Sequence, residues 1–286
     1  MTRFSVVIPN RGREDLLYKA IESVLQQSFS DYEIVIVDDS IDTIHRKIVD
    51  KMRPYSNIRV IKGPSSGSAN ARLVGIKESE GEIIALLDSD DRWHPNKLLL
   101  HSNCHEKLSD VDVCFDQLIE EKDGKSKKIL LPFDREFISG QYERVDKVIM
   151  FRKLVQENFI HMSCGSFKNN GKTVELFPIN EPQDYLFWLR ISTRSDFGLV
   201  SSYETVKLIH TDSRGNRRKI LLEENLLIQK EKLKVVLKNR LLSTKEKTKY
   251  FLYAILSMLA LHIILPFWIK KRIIRKNKLL LFRMLE

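Results

Sequence analysis

Cysteine is scarce in this chain of 286 residues: Cys104, Cys114 and Cys164 stand far apart and form no Cys-x-x-Cys pair. Such thiols make no disulfide framework and fit a reducing compartment. The Gly/Ser-rich loop at 63–72 (GPSSGSANAR) is neither Gly-x-Gly-x-x-Gly nor Gly-x-x-x-x-Gly-Lys. It therefore lacks the fingerprints of a Rossmann dinucleotide site and of a P-loop. The apolar run at 4–9 is too short for a signal-peptide core, which predicts a chain without a secretory leader. Internal repeats and low-complexity tracts are missing too. A net positive balance is lacking over most of the length: residues 1–206 hold 28 Lys and Arg against 32 Asp and Glu. Residues 207–286 hold 20 against 6, so the net charge of +10 belongs to the C-terminal region. A basic segment implies an anionic partner, nucleic acid or phospholipid headgroups. Here the charge flanks an uncharged apolar run at 250–269 instead of lining a folded domain, which argues against nucleic acid.

What is present first is a rhythm. Residues 4–8 (FSVVI), 33–37 (EIVIV), 58–61 and 83–87 (IIALL) read as buried strands. Between them, residues 16–27, 43–52 and 69–78 carry helical spacing. Strand and helix in alternation predict an α/β fold with a mainly parallel sheet flanked by crossover helices. Ligands of such sheets bind beyond the carboxyl ends of the strands. The segments to read are therefore 9–13, 38–42, 62–68 and 88–93. From 111 to 208 the pattern is less regular, with a turn at 123–128 and a helix at 183–192.

Asp88-Ser89-Asp90-Asp91 follows directly on the fourth apolar run. Three carboxylates in four residues repel one another unless a cation gathers them, and oxygen ligands of this kind suit Mg²⁺ or Mn²⁺. The plain alternative is a solvated acidic turn before the next helix. Asp38-Asp39-Ser40 ends the second strand, where acidic groups accept hydrogen bonds from a base or ribose, although the same triplet is ordinary turn chemistry. The loop at 63–72 enters a helix and brings backbone amides or Arg72 toward an anion. His101 and His105 lie one helical turn apart near Cys104, but no closed four-ligand spacing follows, and an ordinary exposed helix is expected.

In order and spacing, SVVIPNRGR, IVIVDDS, GSANAR, ALLDSDDRWHPNKL and QDYLFWLR resemble family 2 glycosyltransferases of the GT-A fold over residues 3–210. The resemblance implies a nucleotide-sugar donor, a divalent metal and inversion at the anomeric carbon. It implies that Pro9 ends the strand whose loop lies along the base. Asp39, with Asp38 beside it, would bind uracil, and Arg72 would contact the nucleotide. Asp88 would meet the ribose or phosphate side. Asp90 would ligate the metal, with Asp91 and His210 as further metal ligands. Asp184 matches the catalytic base of the family's Glu-Asp pair, with Gln183 standing where Glu is common. Basic residues after His210 (Arg214 and Arg217) would close over the diphosphate.

These expectations divide the chain into a catalytic region at 1–210 and a helical, basic, membrane-associating extension at 211–286. Within the first, 1–110 would be the nucleotide-binding half and 111–210 the acceptor half. The extension carries a long amphipathic stretch at 217–243 and then the apolar run at 250–269, flanked by Lys245, Lys247 and Lys249 on one side and Lys270, Lys271 and Arg272 on the other. Twenty helical residues rise about 30 Å, the depth of a hydrocarbon core. Basic residues on both flanks and Pro266 inside the run favour a surface or re-entrant helix over a span. The acceptor is then expected to be a glycan or lipid-linked, at the cytoplasmic face of a membrane. Two other readings compete. A nucleotidyltransferase needs a Gly-rich basic first loop, and residues 10–13 hold one Gly. A non-catalytic membrane adaptor gives no reason for Asp39, Asp90 and Asp184 to occur together.

Overall fold

The computed structural model describes residues 2–133, 140–178, 183–210 and 218–262. Its first half runs β1 (Phe4–Asn10), α1 (Glu14–Leu25), β2 (Tyr32–Asp38), α2 (Asp42–Met52), β3 (Ile58–Lys62), α3 (Ser68–Lys77) and β4 (Ile83–Leu86). These strands pair in parallel in the order β3-β2-β1-β4. Each expected strand and helix of this half is present, with ends displaced by one or two residues. Alternation along the strands sorts the side chains onto two faces. Val6, Ile8, Ile34 and Ile36 pack with Leu17, Ile21 and Val24 of α1 and Ile48 of α2. Val7, Val35 and Val37 face the other way and pack with Ala71 and Ile76 of α3. The buried positions of α1 recur at intervals of three and four, so one stripe of the helix meets the sheet.

The chain continues through β5 (Asp91–Trp93), α4 (Lys97–Lys107), β6 (Val113–Phe115), β7 (Leu118–Lys122), β8 (Lys125–Lys128), β9 (Tyr142–Val145), α5 (Lys147–Gln156) and β10 (Gly165–Lys168). It then forms α6 (Gly171–Val174), α7 (Gln183–Ile191), β11 (Phe197–Val200) and β12 (Thr205–Leu208). The large sheet has eight strands in the order β3-β2-β1-β4-β10-β6-β11-β9. It is mixed where a mainly parallel sheet was expected, because β10 runs antiparallel to both β4 and β6. That direction matters for the site. Ser166 pairs with Ala85 and Lys168 with Ile83, so the residues leading into β10 lie at the carboxyl end of β4.

A second sheet, β5-β12-β7-β8, was not foreseen. Its hairpin β7–β8 turns at Asp123 and Gly124, both at positive φ, as a tight two-residue connection requires. In β12, Lys207 pairs with Asp91 of β5, which carries the chain just beyond β12 past the acidic loop. α7 buries Leu186, Phe187, Trp188 and Leu189 completely.

The C-terminal helices are α8 (Arg218–Lys238) and α9 (Thr244–His262). The expected single stretch at 217–243 is thus a helix ending at Lys238 and a connection. Ser243 and Glu246 start α9 as a reciprocal cap: Ser243 N–H donates to Glu246 Oε2 at 2.8 Å and Glu246 N–H to Ser243 Oγ at 3.3 Å. Tyr250 and Ala254 are buried, and Glu246 pairs with Arg152 of α5 at 3.0 Å, so the start of α9 packs on the α/β body. Phe251 and Leu252 remain exposed. Among the described residues no helix is long and apolar enough to cross a membrane. Residues 263–286, with Pro266 and the second basic flank, lie outside the described residues.

Candidate active site

The carboxyl ends of β1, β2 and β4 converge as the strand rhythm requires. Pro9 pairs with Val37 and Asn10 with Asp38, side by side at one edge. Asp38 is fully buried and turned inward. Asn10 Nδ2 donates to its Oδ1 at 2.8 Å, Ser40 Oγ donates to the same oxygen at 2.6 Å, and His45 Nδ1 lies 3.0 Å from Oδ2. Oδ1 thereby ties the end of β1 to the loop after β2, and Oδ2 faces His45 of α2. Asp39 differs. Its Oδ1 accepts from Ser65 N–H at 2.8 Å in the Gly/Ser loop. A Cβ at Gly63 would stand 2.1 Å from that oxygen, so any side chain there would displace the Asp39 carboxylate.

Arg72, from the first turns of α3, is buried and ion-pairs with Asp88. Asp90 ion-pairs with Arg13 of the loop after β1, and His210 Nε2 lies 2.9 Å from Asp90 Oδ2. Asp91, the first residue of β5, is buried. Its Oδ2 accepts a 2.6 Å bond from Ser163 Oγ and lies 3.3 Å from His161 Nδ1. Two neighbouring carboxyls are thus driven apart. Burial pushes Asp91 up to about 6 against the pull of His161. Burial also acts on Asp88, but Arg72, and then His161, outweigh it and hold that carboxyl below its usual value.

One ligand atom each from Asp88, Asp91 and His161 lies within 4.8 Å of the others. Two carboxylates and an imidazole at that separation suit a divalent cation, and Asp90 of the same loop with His210 from beyond β12 offers a second oxygen–nitrogen pair. Of the residues expected to hold metal, Asp91 belongs to the first set, and Asp90 and His210 meet in the second. Asp88, expected on the ribose or phosphate side, joins the first set. His161 was not anticipated, since nothing in its sequence neighbourhood marks it. Arg13 was likewise missed as a partner of Asp90, although it stands in the loop singled out at 9–13. Asp184 stands in the first turn of α7, and its side chain is outside the described residues. Arg214 and Arg217 are outside them as well.

His101 and His105 correct an expectation, because their helix is not an exposed one. Both are buried on α4, with Ser166 Oγ 2.7 Å from His101 Nδ1 and 3.0 Å from His105 Nε2. Burial, reinforced by Lys97, pulls His101 down to about 4, so the ring is neutral. Lys97 itself is fully buried and donates to Asp116 Oδ1 at 2.5 Å. Asp116, His101 and Ser166 imitate a nucleophile–base–acid row, yet all three are sealed from solvent. They are core.

The sequence profile of glycosyl transferase family 2 matches residues 5–168, from β1 through β10. This chain belongs to glycosyl transferase family 2. The match takes in Asp39, Arg72, the acidic loop, His161 and Ser163, and it ends before Asp184 and His210. An uncharacterized glycosyltransferase of Rickettsia bellii is 28% identical over 206 residues, covering 70% of this chain and 28% of that protein. The chain thus spans less than a third of that relative. The Escherichia coli UDP-Glc:alpha-D-GlcNAc-diphosphoundecaprenol beta-1,3-glucosyltransferase WfaP is 26% identical over 214 residues, 72% of this chain and 78% of that one. Among solved structures, Staphylococcus aureus TarS 1–349 in complex with UDP-GlcNAc superposes with a TM-score of 0.64 at 19% identity, covering 91% of this chain and 72% of that one. The mannosyltransferase PcManGT from Pyrobaculum calidifontis, in complex with GDP-Man and Mn²⁺, gives 0.58 at 13% identity, covering 99% and 74%. At these identities the structures establish the fold, an α/β GT-A-like arrangement with mixed sheets flanked by helices.

Proposed function

We propose that this family 2 chain is an inverting glycosyltransferase that moves a sugar from a nucleotide-sugar, first of all a UDP-sugar, to a hydroxyl of a lipid-linked or polymeric glycan. The observation that carries the reading is that Arg72 pairs with Asp88 and His210 with Asp90 beyond β4, with Asp91 in the same loop and Asp39 beyond the neighbouring strands, in a chain with this family's profile. Breaking the sugar–phosphate bond leaves negative charge on the diphosphate and develops positive charge on the sugar. A divalent cation, Mn²⁺ or Mg²⁺, held by the acidic loop supplies Lewis-acid stabilisation of that leaving charge. The loop following Pro9 lies along the base, Asp39 accepts from uracil with Asp38 fixing its loop, and Arg72 and Asp88 address the ribose and phosphates. Asp184, at the start of α7, takes the proton of the acceptor hydroxyl during attack.

The catalytic unit on this reading is 1–210. The basic region at 211–286 rests on the cytoplasmic face of a membrane through its apolar run, where a lipid-linked acceptor is available. Support for the donor comes from the nucleotide sugars in the TarS and PcManGT complexes, and for the acceptor from the diphosphoundecaprenol substrate in the name of WfaP. The test is calorimetric titration and donor hydrolysis with UDP-Glc, UDP-GlcNAc and GDP-Man, with and without Mn²⁺. Binding and slow hydrolysis of a uridine donor that require Mn²⁺ are expected. A chain that neither binds nor hydrolyses any of the three in Mn²⁺ is not this enzyme.

A further inference from the structure

Between the acidic loop and the buried Lys97–Asp116 pair lies a single 3-10 turn, Met162–Cys164, just ahead of β10. Ser163, in its middle, is fully buried. Toward the loop, Ser163 Oγ donates to Asp91 Oδ2 at 2.6 Å and accepts from Asp88 N–H at 3.1 Å. One hydroxyl therefore holds the side chain of the last acid and the backbone of the first. On its other side the turn is fixed through its carbonyls. Ser163 O accepts from Trp93 Nε1 at 2.9 Å and lies 3.2 Å from Thr205 Oγ1. Cys164 O accepts from Lys97 Nζ at 3.0 Å and from Asp116 N–H at 3.2 Å. Asp116 in turn accepts from Thr205 Oγ1 at 2.9 Å. Elements from both sheets thus meet at this one turn.

We infer that Ser163 is a positioning residue, which sets the spacing of the carboxylates of the acidic loop so that they can gather a divalent cation with a nucleotide diphosphate. The inference rests on the functional reading above. A hydroxyl is the group required, because it donates and accepts at once. Removing it leaves the Asp88 N–H without its acceptor and Asp91 Oδ2 with only His161 Nδ1 at 3.3 Å beside it, and a loop freed by an ångström loses its ligand geometry. Methyl groups fill space and do neither job. A residue that merely packed would behave otherwise under conservative replacement.

The experiment uses the full chain, with UDP and Mn²⁺ as probes, calorimetry for UDP, and electron paramagnetic resonance for free Mn²⁺. Ser163→Ala should weaken UDP binding in Mn²⁺ by tenfold or more and leave metal-free UDP binding within about twofold. Ser163→Thr, which restores the hydroxyl, should return to within about threefold of wild type. Should Ser163→Ala fail to fold, Ser163→Cys, close in size but a weaker donor, carries the same comparison. Unchanged Mn²⁺-dependent binding in the alanine or cysteine variant overturns the inference alone. Equal loss with and without Mn²⁺, or a folded threonine variant as defective as alanine, overturns it too. A wild-type chain whose UDP binding ignores Mn²⁺ overturns the functional reading, and this inference with it.

Discussion

Replacing Lys97 by Met leaves the Asp116 carboxylate buried without its cation. Both side chains are 0% exposed, so water offers no relief. Asp116 still accepts from Thr205 Oγ1 at 2.9 Å and from Glu204 N–H at 3.0 Å. Those are hydrogen bonds, and neither carries a full charge. Breaking a buried pair on one side costs about 3–5 kcal/mol. An exposed pair is worth at most about 1 kcal/mol, and Arg53–Asp50, with side chains 75% and 64% exposed, is the internal control. In a chain of this size about 3–5 kcal/mol corresponds to roughly 6–20 °C in Tm. The assay is urea unfolding followed by circular dichroism at pH 7.5, with a thermal scan beside it. Lys97→Met should lose that amount, while Arg53→Ala stays within about 1 kcal/mol of wild type. Lys97→Met combined with Asp116→Leu should regain most of the loss, since removing both charges removes the desolvation cost as well. A Lys97→Met chain within about 1 kcal/mol of wild type refutes the argument, because the carboxylate would then have found water or a proton at little cost.

Asp90→Ala should abolish the Mn²⁺-dependent part of UDP binding with the fold intact by circular dichroism; full activity in EDTA would sink the metal assignment. Asp184→Asn should lower kcat by about a hundredfold or more, the usual share of a general base, with donor affinity little changed. A loss shared equally by donor binding and turnover would point to a structural role. His101, pulled to about 4 by burial and Lys97, takes its proton in the unfolded chain first, near pH 6.5. Its contribution to stability is therefore complete above that pH and is lost as pH falls toward 4, by about 2 kcal/mol at pH 5. Asp91, raised to about 6, acts in the opposite sense, so wild type is compared with His101→Gln, in which Asp91 is unchanged. Wild type should lose about 2 kcal/mol more than the variant between pH 7.5 and 5 in urea midpoints, and equal losses would exclude the neutral buried ring.

The first half of the fold was legible because each of its strands is a short apolar run that a helix-spaced segment separates from the next. The carboxylates after β4 stood out for the same reason: the apolar run stops and Asp88 begins. β5 and β12 have three and four residues, too few for any periodicity to register. β10 gives no sign of its direction, because an antiparallel strand and a parallel one of four residues read alike. Of the turn expected at 123–128, Asp123 and Gly124 were legible, since the residues that adopt positive φ name themselves, but 125–128 is strand β8. α4 misled for a physical reason. Its His101 and His105 read as an ordinary exposed helix, and Asp116 just after β6, the Cys164 carbonyl and Ser166 of β10 make their burial beside Lys97 tolerable.

The difference extends into the site itself. The acids of the proposed site, Asp39, Asp88, Asp90 and Asp91, come just after strand ends, so their positions follow from the strands. Groups that hold those carboxylates in place obey no such rule. Ser163 lies 72 residues from Asp91 and 75 from Asp88, and a lone serine before a short strand carries no pattern. Its placement follows from the antiparallel direction of β10, which follows from the sheet order, which follows from packing over the whole body. A motif can therefore name the acids of this loop, while the hydroxyl that spaces them becomes visible only when β4, β5 and β10 are seen together.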